Sequence, residues 1–250
     1  MAKKLRVGIF SFSCCEGCQL EMFQMEGELF DLFREINLVN SRLIGKKGGE
    51  FPETDIAIVE GSIISAEEKK ELLEIRKNAK FLMAIGACAV TGGVPGVRNN
   101  ISPSIKKKIR GQMKKHHLEN VHKVADVVKV DYSLKGCPIN APEFVYVMNQ
   151  IVRGITPKDV DVPVCVECKH NENLCRFKKN LACLGPITFG GCNSVCINEG
   201  FMCNGCRGFR PDGNFKTTIE RIRRTGMNEN DLKILLDSFY SWGTRGKKDA

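Results

Sequence analysis

The chain has 250 residues, 42% apolar and 27% charged, and a formal charge of +9 at neutral pH. This is globular composition, long enough for a large domain plus a smaller one, and it excludes a disordered tail protein. The longest near-continuous apolar run, Phe81 to Val90, spans ten residues, well short of the roughly 18 that a membrane helix requires.

The start, Met1-Ala2-Lys3-Lys4, carries the charge of a signal segment. Residues 5–12 are too short, are interrupted by Arg6 and lead to no A-x-A cleavage pattern, so they read as a first β-strand of a cytoplasmic protein. A helical spacing follows over 19–33, with Leu20, Phe23, Leu29, Leu32 and Phe33 on its apolar positions. Strands are expected over 36–43 and 55–63, a charged surface helix over 66–80 and a buried strand over 80–85. A basic helix over 104–117, a strand over 124–131 and a helix over 141–152 continue the alternation. Such alternation predicts an α/β fold, a flavodoxin-like doubly wound parallel sheet occupying residues 1–156.

From Thr156-Pro157 the periodicity fades, and glycine, asparagine and cysteine dominate as far as Gly208. Residues 157–250 are expected to form a smaller, cysteine-rich domain with little regular sheet. Being poor in apolar runs, it should be organised around what it binds. A helical pattern returns over 217–242 through Ile219, Ile222, Leu232, Ile234, Leu235, Phe239 and Tyr240.

Cysteine is the anomaly, with 13 residues, eight of them between Cys165 and Cys206. A first group comprises Cys14-Cys15-Glu16-Gly17-Cys18, Cys88 and Cys137. Each member follows an expected strand, and parallel strands present their carboxyl ends along the edge where doubly wound folds bind ligands. Cys15, Cys18, Cys88 and Cys137 should therefore meet as four thiolates for one site. The glycines beside them let backbone N–H groups approach sulfur. A second group, Cys165-x2-Cys168-x6-Cys175-x7-Cys183, and a third, Cys192-x3-Cys196-x6-Cys203-x2-Cys206, make two more fourfold sites. Spacing alone does not say which four of these eight share a site; sequential assignment is the working one.

In a reducing compartment dense cysteine means metal rather than disulfides. The ferredoxin run C-x2-C-x2-C-x3-C-P is absent. Structural zinc stays open, because two C-x2-C pairs bracket the region. With the +9 charge, a zinc-stabilised nucleic-acid-binding protein is the corresponding function. Three oxidised four-iron clusters on twelve thiolates would instead lower the charge to roughly +3 and weaken the case for nucleic acid.

Other features read blandly. Lys106-Lys107-Lys108-Ile109-Arg110 with Lys114, Lys115, His116 and His117 is a solvated helix face, since no aromatics interleave. Gly92-Gly93-Val94-Pro95-Gly96 lacks G-K-[ST] and reads as a turn beyond Cys88. Glu16 reads as exposed or capping, with a proton or partner contact as the alternative. Met22 and Met25 read as core filling and leftover Cys14 as a small buried residue, with substitute ligand as the alternative.

Taken together, Cys15-x2-Cys18, Gly86-x-Cys88-Ala89, Gly136-Cys137-Pro138, Cys183-Leu184-Gly185-Pro186 and Phe201-Met202-Cys203-Asn204-Gly205-Cys206 resemble the small, electron-transferring subunit of [NiFe] hydrogenases over residues 5–210. The pattern is most similar to the cytosolic archaeal branch, the delta subunits of NAD(P)-linked sulfhydrogenases. F420-linked and heterodisulfide-reductase-linked small subunits are near neighbours. The resemblance implies a proximal [4Fe-4S] cluster on Cys15, Cys18, Cys88 and Cys137. It implies a distal one on Cys165, Cys168, Cys175 and Cys183, and a medial one on Cys192, Cys196, Cys203 and Cys206.

The sequence departs from the membrane-bound uptake members, lacking a twin-arginine leader and a C-terminal anchor. Cys196 stands where many of them have proline and a three-iron medial cluster, and Cys165 stands in place of a histidine ligand, with His170 nearby. The implied Ni–Fe centre needs four protein thiolates, and only Cys14 is left, so it is expected on a large-subunit partner and no catalytic residue on this chain. The distal cluster is expected to face a flavin or iron–sulfur subunit that uses NAD(P) or sulfur. Neither a nucleic-acid partner nor a membrane span is expected. The tandem Cys14-Cys15 also resembles the cluster subunit of complex I-like quinone reductases, which lacks the eight-cysteine extension.

Overall fold

The computed structural model describes residues 4–24, 26–45, 51–111 and 117–240. Met25, Lys114, Lys115, His116 and Trp242 lie outside the described residues, as do the side chains of Leu29, Phe33, Arg110 and His117.

The chain runs β1 (Leu5–Ser11), α1 (Gly17–Phe23), α2 (Glu26–Glu35), β2 (Ile36–Asn40), β3 (Thr54–Glu60), β4 (Ile63–Ser65), α3 (Ala66–Lys77), β5 (Ala79–Ile85), α4 (Gly86–Thr91), α5 (Gly93–Asn100), α6 (Pro103–Arg110), β6 (His117–His122), β7 (Tyr132–Leu134) and α7 (Ala141–Val152). Five strands form a parallel sheet in the order β2-β1-β3-β5-β7. This is the expected α/β architecture. The order reverses between β1 and β3, the kind of switch point beyond whose carboxyl ends doubly wound sheets bind ligands.

Alternate residues of each central strand serve opposite layers. Ile56 and Ile58 pack with Val7, Ile9, Met22, Phe144 and Met148 on one face. Ala57 and Val59 pack with Leu72, Ile75, Leu82 and Ala89 on the other. Burial on both faces explains why these strands read as continuous apolar runs rather than alternating ones.

The expected helix over 19–33 is two helices, α1 and α2. The strand expected over 55–63 ends at Glu60, and Ile63–Ser65 turns away to pair antiparallel with β6. Of the helix expected over 104–117, residues 104–110 lie in α6 and His117 already belongs to β6, while 112–116 lie outside the described residues. The strand expected over 124–131 is a correction: Val124–Asp126 is a 3₁₀ turn, and the edge strand β7 starts at Tyr132. Val124 and Val128 are apolar because they cover the sheet from a loop, not because they pair within it.

Beyond residue 157 come α8 (Val164–His170), α9 (Val195–Asn198), α10 (Phe215–Arg224) and α11 (Glu229–Asp237), with 3₁₀ turns at Arg176–Lys179 and Gly185–Ile187. Among the described residues sheet is limited here to isolated bridges such as Pro163 with Phe189. A small core of Leu184, Ile187, Phe209, Ile222, Leu232 and Leu235 gathers under α10 and α11. The helical pattern expected over 217–242 is broken near Gly226, with Asn228 capping α11 through the Asp231 N–H (2.9 Å). The chain then returns to the first half: Thr91 Oγ1 donates to Phe239 O (2.6 Å) and Asn100 Nδ2 to Tyr240 O (2.8 Å). Tyr240 stacks on Phe209. Among the described residues no helix is long and apolar enough to cross a membrane.

Candidate metal centres

Strands β1, β5 and β7 end at Ser11, Ile85 and Leu134, and the segments that follow carry Cys15 and Cys18, Cys88, and Cys137. Cys18 and Cys88 sit in the first turns of α1 and α4. The Cys88 thiol feels both Cys137 and Cys15, and Cys18 feels Cys137, so the topology brings this first set to one place. The approach is tight. Gly86 has φ 79°, and a Cβ there would be driven into Cys18 Sγ; glycine is what allows β5 to pass so close.

Burial pushes Cys88 up to about 12 and raises Cys18 and Cys137 as well. A bound metal ion displaces such protons outright. Backbone N–H groups of Ile139 and Val94 face the sulfurs of Cys18 and Cys88.

Glu60, at the carboxyl end of β3, is 1% exposed. It accepts from the Cys18 N–H (3.1 Å) and from Gln19 Nε2 (2.8 Å), and its charge helps raise the thiols of Cys18, Cys88 and Cys14. Sequence reasoning missed it, although a carboxylate ending the apolar run Ile56–Val59 at the ligand-bearing edge is a readable signal. Cys14, half-buried and raised to about 12 by burial, lies within electrostatic reach of Cys88. Glu16 takes the left-handed conformation at the start of α1 and pairs with Arg42 (2.5 Å), whose hydrogen bond lowers its pKa.

The second set gathers around α8. Cys165 feels Cys183, Cys168 and Cys175, and Cys168 feels Cys183 and Cys175. Burial raises Cys165 to about 11. Arg176, next to Cys175, is 8% exposed; its Nε donates to Phe201 O (3.1 Å), while its Nη2 is buried without a hydrogen-bond partner. Burial raises the thiols of Cys168 and Cys183, and the Arg176 charge works against that rise. His170, at the end of α8, is exposed.

The third set, Cys192, Cys196, Cys203 and Cys206, lines a cavity of ≈ 70 Å³ that Cys137 and Phe239 also border. Cys206 feels Cys192 and Cys196, and burial lifts it to about 12. Glu167 on α8 accepts from the N–H groups of Gly191 and Ser194 and faces Cys192 Sγ (3.8 Å), tying the second set's helix to the third set's loop.

The sets also adjoin one another. Cys137 borders the cavity of the third set, and Cys203 is buried in one cluster with Cys183 and Cys168. Cys183 Sγ accepts from the Gly185 N–H (3.4 Å). Among the described residues no three His, Cys, Asp or Glu side chains stand at the spacing of a single metal ion. The donor chemistry therefore rests on thiols that neighbour one another: Cys88 with Cys15 and Cys137, Cys165 with Cys168, Cys175 and Cys183, Cys206 with Cys192 and Cys196, and Cys203 with both Cys183 and Cys206. Sulfur-rich ligation with N–H···S bonds is the environment of iron–sulfur clusters.

Away from the thiols, Met22 is in the core. Lys107 and Lys108 are exposed on α6, while Lys106 Nζ donates to Asn99 O (3.0 Å). The stretch 92–96 is not a turn throughout: Gly92 caps α5, which begins at Gly93.

Comparison with known proteins matches residues 15–151 to the family described as NADH ubiquinone oxidoreductase, 20 Kd subunit. The chain is 32% identical to the sulfhydrogenase 2 subunit delta of Pyrococcus furiosus, covering 95% of this chain and all of that one. It is 27% identical to a subunit of the F420-non-reducing hydrogenase of Methanothermobacter marburgensis, over 83% of this chain and 80% of that one. Among solved structures, a chain of an NAD+-reducing [NiFe]-hydrogenase in the H2-reduced state superposes with a TM-score of 0.55 at 28% identity. That match covers 62% of this chain and 95% of the other.

Proposed function

Because the chain belongs to the NADH ubiquinone oxidoreductase 20 Kd subunit family and its relatives are hydrogenase subunits, we propose that it is the iron–sulfur relay subunit of a cytoplasmic [NiFe] hydrogenase. In this reading Cys15, Cys18, Cys88 and Cys137 hold a proximal [4Fe-4S] cluster. Cys192, Cys196, Cys203 and Cys206 hold a medial one, and Cys165, Cys168, Cys175 and Cys183 a distal one. Residues 1–156 form the domain of the proximal site and 157–250 that of the other two. When bound, each cluster supplies a one-electron carrier.

The observation that carries the reading is the order of the three thiol sets. Cys137 borders the same cavity as Cys192, Cys196, Cys203 and Cys206, and Cys203 is buried in one cluster with Cys183 and Cys168, so the third set adjoins both the first and the second. A zinc-stabilised scaffold has no use for such a chain of contacts. The thiol sulfurs bind iron, and the N–H groups of Ile139, Val94, Gly205 and Gly185 stabilise their negative charge. The buried donor Arg176 Nη2 beside the second set fits an acceptor-rich sulfur core.

With twelve cysteines engaged, Cys14 alone cannot build a nickel site, so hydrogen chemistry belongs to a large-subunit partner. Electrons then pass between it and a flavin or iron–sulfur subunit that uses NAD(P) or sulfur. Anaerobic purification of the complex followed by metal analysis tests this. About twelve iron and twelve sulfide per copy of this chain, beyond what the partners hold, are expected from three four-iron sites. About three zinc and negligible sulfide would refute it.

A further inference from the structure

Arg207 directly follows Cys206 and is 3% exposed. Its Nε donates to Gly190 O (2.5 Å), Nη1 to Lys135 O (2.6 Å) and Glu143 Oε2 (2.8 Å), and Nη2 to Glu143 Oε1 (2.8 Å). Lys135 lies two residues before Cys137, Gly190 two before Cys192, and Glu143 in the first turn of α7. A single buried guanidinium thus ties the loop of the proximal set, the loop of the medial set and a helix of the parallel-sheet half to one another.

The surroundings are built for it. Gly191 has φ 107°, and a Cβ there would lie 2.7 Å from both Arg207 Cζ and Glu143 Oε1, so only glycine lets the loop pass. The planar fork of arginine can meet a bidentate carboxylate and two carbonyls at once, which a lysine ammonium cannot. Glu143 balances the charge, so the clamp adds no net charge beside Cys192 and Cys206.

We propose that Arg207 is a positioning residue that governs the proximal-to-medial electron step by holding the Lys135 loop that leads to Cys137 against the Gly190 loop that leads to Cys192, around the cavity that Cys137 and Cys206 both border. The inference rests on the relay reading above. Its distinguishing mark is that the joint, rather than either cluster's binding, depends on the fork. The test compares the anaerobically purified complex with two variants, Arg207→Lys and the neutral double variant Arg207→Met with Glu143→Gln. The double variant avoids leaving one buried charge unpaired.

Three quantities are read: iron and sulfide content, the magnetic interaction between reduced proximal and medial clusters in electron paramagnetic resonance, and the rate at which the medial cluster fills after hydrogen is admitted. Both variants are expected to keep their iron, to show a weakened proximal–medial interaction and to fill the medial site about tenfold more slowly or worse, the scale on which displaced reacting groups lose rate. Full recovery in Arg207→Lys would show that charge, not position, matters and would overturn the proposal. Unchanged interaction and rate in either variant that keeps its clusters would overturn it as well. Should the double variant fail to assemble, Arg207→Lys decides alone. A parent complex without three clusters on this chain would instead refute the relay reading, and its metal analysis separates the two failures.

Discussion

Gly86→Ala is expected to strip the proximal site, removing roughly four of about twelve iron from the chain. Gly86 directly follows β5 at φ 79°, a conformation that costs an L-residue about 1–2 kcal/mol. The larger effect is steric. The new methyl would occupy the space of Cys18 Sγ, and Cys18 is held on its other side by Glu60 through its own N–H (3.1 Å). Either β5 or α1 must shift, and whichever moves takes Cys88 or Cys18 out of the four-thiolate arrangement.

Loss of the first carrier should cut hydrogen-driven electron delivery by about a hundredfold or more, the order expected when a reacting group is displaced by an ångström. Circular dichroism should remain that of a folded protein, because the two layers around Ile56, Ile58, Ala57 and Val59 are untouched. Anaerobic iron analysis with electron paramagnetic resonance is the check. A Gly86→Ala complex with its full iron and parental turnover would place Cys18 outside the proximal ligand set.

Cys196→Pro should convert the medial site to a three-iron core held by Cys192, Cys203 and Cys206. Cys196 lies in the first turn of α9, where a missing backbone N–H is tolerated, so the substitution removes the thiol with little cost to the fold. Losing one iron and one anionic ligand changes cluster type and charge, both of which set the potential. For a one-electron carrier each 59 mV is a factor of ten in occupancy. A medial site raised by roughly 100 mV would hold electrons midway and slow delivery to a low-potential acceptor more than to a high-potential dye. The expected signature is about one iron lost per chain and a new signal from an oxidised three-iron cluster. If all the iron is retained and no such signal appears, Cys196 is not a ligand and the sequential division of the last eight cysteines is wrong.

Much of this was legible in the sequence. Apolar runs such as Ile56–Val59 and Leu82–Ile85 marked buried parallel strands because burial on both faces leaves no polar alternation. From strands in that order followed the edge on which Cys15, Cys18, Cys88 and Cys137 meet. The cysteine spacings divide the last eight into two runs; in the structure Cys165 and Cys168 neighbour Cys175 and Cys183, and Cys206 neighbours Cys192 and Cys196, while Cys203 also lies against Cys183 of the other run. Where the reading failed, an apolar residue had two uses: Val124 and Val128 cover a sheet from a loop with the same composition a strand would have. The ribbon of β4 and β6 escaped because each strand is short and its partner is more than 50 residues away.

What the sequence by itself determined is therefore the set of local properties: periodicity that specifies elements, strand ends that specify an edge, and a thiol inventory large enough for three fourfold sites. Only the tertiary structure decided how those sites adjoin. Glu60 beneath Cys18, Glu167 holding the loop before Cys192, Phe239 returning to Thr91, and Arg207 joining Lys135, Gly190 and Glu143 are all contacts between residues distant in the chain. Nothing in the spacing of a charged residue says which carbonyls it will meet. That is settled when buried donors and acceptors must each find a partner, and the pairing becomes definite only once the layers have packed.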